Sequence, residues 1–188
     1  MKTYVGSVCE ALDAADEPVT LVGHSRGGIT ISQAAEYRPG KVRKLVYLAA
    51  FPVPEGQSAA NLTVTDTESL VLRNLEINRE QKWDMLKQEV YRQALYADCP
   101  DADIALANAL LTPEPSIPGT PPLCLSSENF GRTPRVYIEL LGDQTVTRPP
   151  QRKMHDALPC EKVVSVKTSH SAYFSATYDI AAHLLAQA

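Results

Sequence analysis

Tyr4, Val5, Val8, Cys9 and Leu12 recur at spacings of three and four, the repeat of an amphipathic helix over residues 2–15. Asp16-Glu17-Pro18 ends that repeat. Val19 to Val22 is short and wholly apolar, as expected of a strand buried on both faces of a parallel sheet. Residues 26–37 read as a helix, stopped by Arg38-Pro39-Gly40. Three later runs, VRKLVYLAAF (42–51), PRVYIELLG (134–142) and EKVVSVKT (161–168), read as further strands. Helical patterns occupy 149–157 and 176–187. Strands alternating with helices predict an α/β fold with a mostly parallel, doubly wound sheet.

One block breaks this rhythm. Residues 66–111 read as several helices anchored by Trp83, Leu86, Val90, Leu95 and Leu106. The Pro-rich segment TPEPSIPGTPP (112–122) then leads back to the alternating pattern. A helical insertion between the second and third strands is expected to form a lid, with Trp83 or Tyr91 lining what lies beneath it.

The junction of the first strand and its helix reads Gly23-His24-Ser25-Arg26-Gly27. A hydroxyl is a weak nucleophile that needs a base beside it and a rigid, exposed position, and an abrupt strand-to-helix turn provides the position. Gly23 and Gly27 are expected to leave room for that turn, with His24 as scaffold on its far side. The amide of Arg26, opening the helix, is the expected oxyanion donor. An acid and a histidine should follow in that order. Asp143 ends the third strand and His170 follows the fourth, both at the carboxyl edge where ligands gather in open α/β sheets. Glu139 lies inside its strand, and His155 and His183 fall within helices, so each is the poorer candidate. In these roles His170 takes the Ser25 proton and Asp143 holds the imidazole in its working tautomer.

Composition changes this picture little. The 188 residues suit one domain, 44% hydrophobic and 21% charged, with a net charge of −4. No basic stripe suggests a nucleic-acid partner, and no run approaches membrane-spanning length. The start of the chain does not read as a signal peptide. Cys9, Cys99, Cys124 and Cys160 are scattered without a C-x-x-C pair, so neither a metal site nor a disulfide framework is expected, and a reducing cytoplasm is.

LVGHSRGG, RKLVYLAAFPVPEGQS, LYADCPDAD, RVYIELLGDQTV and TSHSAYFSA, taken together, resemble the α/β-hydrolase superfamily. More narrowly they resemble the branch of plant methylesterases, hydroxynitrile lyases and bacterial salicylate-type esterases. The resemblance implies a serine hydrolase acting on a small carboxylic ester through an acyl-enzyme, without cofactor, with Ser25, Asp143 and His170 at the triad positions. Lyases of this branch carry a lysine directly after the catalytic histidine; Ser171 stands there, which favours an esterase.

By the same resemblance, the strands that open the family's sheet, and the loop giving the second oxyanion donor, have no counterpart here. Residues 1–65 would then be a partial core with the nucleophile elbow, 66–122 a helical cap and 123–188 the second half of the core. An N-terminally truncated hydrolase, active or reduced to a non-catalytic relative, is the expectation. Its first strand would have an unpaired edge, open to association as a homodimer.

Overall fold

A computed structural model describes residues 2–56, 65–116 and 122–187. Helix α1 (Lys2–Ala14) leads into strand β1 (Val19–His24), helix α2 (Gly27–Tyr37) and strand β2 (Val42–Leu48). After the insertion come β6 (Arg135–Leu140), α6 (Arg148–Ala157), β7 (Lys162–Val166), α7 (Ala172–Ser175) and α8 (Thr177–Leu185). The four strands form one parallel sheet in the order β1-β2-β6-β7.

The period of two in β2 sends Leu45 and Tyr47 to one face and Val46 and Leu48 to the other. On the first face they meet Val5, Cys9 and Leu12 of α1, Ile31 and Ala35 of α2, and Met154 of α6. On the second they meet Val136, Ile138 and Leu140 of β6, with Ala172 and Ile180 from α7 and α8. Both faces are covered over Leu45 to Leu48 of β2 and Val136 to Ile138 of β6, which is why those stretches carry no charged residue.

Two strands differ from the sequence pattern. Among the described residues β1 pairs with β2 alone, which leaves the open edge expected for it; but Val22 is 44% exposed and most of its neighbours are half-buried, so β1 is not buried on both faces. Strand β2 stops at Leu48, short of 51, because Ala49 takes a positive φ of 41° and turns the chain toward the corner after β1.

The insertion departs further. It contains short helices, α3 (Leu70–Asn74), α4 (Tyr91–Leu95) and α5 (Asp101–Leu110). Between them lies an antiparallel hairpin of β3 (Leu75–Asn78) and β4 (Trp83–Leu86), which β5 (Glu114–Pro115) extends. Trp83 therefore sits on a strand, its indole N–H donating to Gln81 Oε1 at 2.8 Å. The turn is set by the Asn78 side chain, which accepts the Gln81 N–H at 2.8 Å, and by Lys82 at φ 58°. Leu106 is 54% exposed and anchors nothing; Tyr91, Tyr96, Cys99, Ile104 and Ala107 form the insertion's own small core. Parts of the quoted stretches at 57–64 and 117–121 lie outside the described residues.

Candidate active site

The turn at Ser25 is held from three directions. Its N–H donates to Leu48 O at 3.3 Å, and its carbonyl accepts from Gly28 N–H at 3.1 Å and Phe51 N–H at 3.2 Å. These bonds keep Ser25 at φ 52°, a conformation that costs a non-glycine residue about 1–2 kcal/mol. A Cβ on Gly23 would stand 2.9 Å from the backbone of Gly27 and Gly28, so that glycine is sterically required. Gly27 is different, because a Cβ there would meet nothing within 4 Å. The second required glycine is Gly28, where a Cβ would fall 2.8 Å from the backbone N and O of Phe51. The expectation for Gly27 is corrected accordingly. The motif spacing pointed to Gly27, whereas the close approach of α2 to the segment after β2 is a tertiary contact.

Asp143 and His170 meet at the carboxyl edge of the sheet. His170 Nδ1 lies 2.7 Å from Asp143 Oδ2, and both side chains are buried. Because the carboxylate accepts, Nδ1 carries the proton and Nε2 is left as the base. The other carboxylate oxygen accepts from the N–H groups of Thr145 at 2.7 Å and Val146 at 3.0 Å, a local turn that holds the aspartate independently of the histidine. Gly142 lets the two loops close: its N–H donates to Thr168 O at 2.9 Å.

The residue before Ser25 touches this pair. The His24 ring packs against that of His170 with centroids 4.4 Å apart, and Nε2–H of His24 donates to the His170 carbonyl at 2.9 Å. His24 is thus a support for the second loop and does not lie on the far side of the turn. Its burial, with His170 alongside, pushes its pKa down to about 3, so it stays neutral and cannot compete as an acid. No hydrogen bond joins the Ser25 hydroxyl to His170 among the described residues, a looseness usual where the contact tightens only around a substrate.

The Arg26 side chain has a role that the motif does not disclose. While its backbone opens α2, its guanidinium donates to Asp84 Oδ1 on β4 at 2.8 Å, tying the corner to the hairpin. The competing candidates are engaged elsewhere. Glu139 is buried in β6 against Arg152 at 3.2 Å and the Ser165 hydroxyl at 2.8 Å. His155 pairs with Asp156 and packs on Tyr137, and His183 lies in α8.

Comparison with known proteins identifies the family. The model of the alpha/beta hydrolase family matches residues 3–183. The chain is 33% identical over 169 residues to an Arabidopsis thaliana protein that carries the name methylesterase 11, chloroplastic, covering 85% of this chain and 43% of that one. It is 28% identical over 187 residues to the pyrethroid hydrolase of Sphingobium wenxiniae, covering 93% of this chain and 65% of that one. The crystal structure of a pyrethroid hydrolase from Sphingobium faniae superimposes with a TM-score of 0.87 at 26% identity, over 98% of this chain and 76% of that chain. The chain therefore spans less than two thirds of the length of these two curated relatives.

Proposed function

The chain belongs to the alpha/beta hydrolase family, and from that premise we propose that it is a carboxylic ester hydrolase with Ser25, His170 and Asp143 as its triad. The observation that carries the reading is the buried 2.7 Å contact between His170 and Asp143, on loops flanking a serine held at positive φ. A small ester is the substrate class, in keeping with relatives named as a methylesterase and a pyrethroid hydrolase.

In this mechanism Nε2 of His170 takes the Ser25 proton as Oγ bonds to the ester carbonyl carbon. The Arg26 amide receives the developing oxyanion, and Asp143 stabilises the imidazolium. Collapse of the tetrahedral intermediate breaks the bond to the alkoxide, which leaves with the proton from His170. Water, deprotonated by the same nitrogen, then attacks the acyl-enzyme and frees the acid and Ser25. Neutral His24 allows the positive charge to reside on His170 alone.

A fluorophosphonate probe is expected to label the wild type and leave Ser25→Ala unlabelled, with a burst on p-nitrophenyl acetate. Equal labelling of both proteins, or of neither, overturns the reading. The second reading, a relative that binds ligand without turnover, is favoured by the missing hydrogen bond between Ser25 and His170. It predicts no burst.

A further inference from the structure

We infer that Asp98, reaching out of the insertion, is a positioning residue that presets His170 for proton transfer; the inference rests on the serine-hydrolase reading. His170 sits on a loop beyond the end of β7, where no strand ladder holds the backbone. Ser169, His170 and Ser171 are nonetheless 3%, 3% and 1% exposed, so their polar groups must find partners in the protein. His24 and Asp143 take the carbonyl and ring of His170, and the partners of the two flanking serines' backbone come from residues 95–99. The Asp98 carboxylate accepts both the N–H of Ser169, at 2.8 Å, and its hydroxyl. The Ser171 N–H donates to Leu95 O at 3.1 Å, and Cys99 Sγ lies 3.9 Å from Ser171 O. His170 is therefore fastened on both sides to one short segment.

Ala94, the residue before that segment, also touches the aspartate's loop. The Thr145 hydroxyl donates to Ala94 O at 2.7 Å, while the Thr145 N–H holds Asp143. Acid and base are thus registered against each other by a strap outside the sheet. Of its ties to the histidine loop, only the pair from Asp98 ends on a carboxylate side chain, and such bonds are about twice as strong as neutral ones. The ring's rotation is set by Asp143, whereas the position of Nε2 relative to the sheet edge depends on where Ser169 and Ser171 hold the backbone. An error of about 1 Å there costs on the order of 100-fold in rate.

The experiment compares wild type, Asp98→Asn and Asp98→Ala by fluorophosphonate labelling rate, steady-state ester kinetics, thermal midpoint and the downfield proton signal of His170 Nδ1–H. Absence of that signal in His170→Gln assigns it. Asp98→Ala is expected to label about 10- to 100-fold more slowly, with kcat lowered, KM nearly unmoved and the Nδ1–H signal broadened. Asp98→Asn retains the shape and one acceptor, and should fall between. Asp98→Ala strands the buried N–H and hydroxyl of Ser169 and should also lower the thermal midpoint, whereas Asp98→Asn keeps an acceptor and should hold it, so the kinetic and Nδ1–H readouts of Asp98→Asn separate positioning from stability. Labelling at the wild-type rate in a folded variant, with the Nδ1–H signal unmoved, overturns the inference. Should Asp98→Ala not fold, Asp98→Asn decides by the same measures. A wild type that shows the signal but never labels defeats the hydrolase reading instead, and the signal in the variants then decides whether Asp98 orders the loop.

Discussion

The sheet and the insertion are built on different forces. In the sheet, Leu45, Val46, Tyr47, Val136 and Ile138 are almost wholly enclosed by apolar neighbours from helices on both sides. The insertion has a smaller core of its own and meets the rest of the molecule largely through polar bonds: Arg26 to Asp84, Ser169 to Asp98, Thr147 to Asp66 and Thr145 to Ala94. These bonds end on or beside the elements that carry Ser25, Asp143 and His170. Apolar burial is strong but insensitive to direction, whereas hydrogen bonds fix distance and angle. The sheet therefore supplies stability, and the insertion sets the register of the loops.

Leu45→Ala tests the sheet's part of that contrast and should have the largest effect. Leu45 is fully buried in β2, and its truncation is expected to cost about 3–4 kcal/mol in urea unfolding. A loss under about 1 kcal/mol would mean that the sheet is not where stability resides.

The next largest effect is expected from acid. His24 is held near pKa 3 when folded and returns to about 6.5 when unfolded. Between those values the unfolded chain binds a proton that the folded chain does not, so stability falls as pH drops from 6.5 toward 3. The slope is at most about 1.4 kcal/mol per pH unit, reduced because His24 keeps part of its surface in solvent. Urea midpoints at pH 7, 5.5 and 4.5 measure it, and His24→Gln should flatten the profile; parallel profiles would contradict this.

Adjacent glycines sharpen the comparison within the corner itself. Gly28→Ala forces a Cβ onto the Phe51 backbone and should cost about 2 kcal/mol in urea unfolding. Gly27→Ala meets open space and should stay within about 0.5 kcal/mol. Equal costs would contradict the close approach at Gly28.

The smallest effect belongs to the seam. A double-mutant cycle on Arg26 and Asp84 should give a coupling of about 1 kcal/mol or less, since the Arg26 side chain is 36% exposed. In ester kinetics, both single substitutions should change kcat by more than their stability cost accounts for, if the hairpin aligns the corner. A coupling near zero with unchanged kcat would reduce the pair to an incidental surface contact.

The parallel sheet was legible because Leu45 to Leu48 of β2 and Val136 to Ile138 of β6 lie beneath covering layers on both sides, a placement that favours short uncharged runs. The same rule overstated the burial of β1, most of whose residues are half-buried or exposed, while the open edge expected for it is present among the described residues. The hairpin was hidden for a related reason. Leu75 to Asn78 and Trp83 to Leu86 are short and of mixed polarity, and their turn relies on Asn78 and Lys82 rather than on a glycine.

Taken alone, the order of residues determined the α/β class, the serine on a strand-to-helix corner and the positions of Asp143 and His170 at strand ends. Those are local properties, governed by side-chain period, turn chemistry and the place of each loop after its strand. Only the folded chain decided that Gly28 and not Gly27 carries the steric burden, that His24 supports His170, and that Arg26 and Asp98 bind the insertion to the segments carrying Ser25 and His170. Each of those contacts joins residues from separate elements, and their partners were chosen by how the layers pack, which no local pattern encodes.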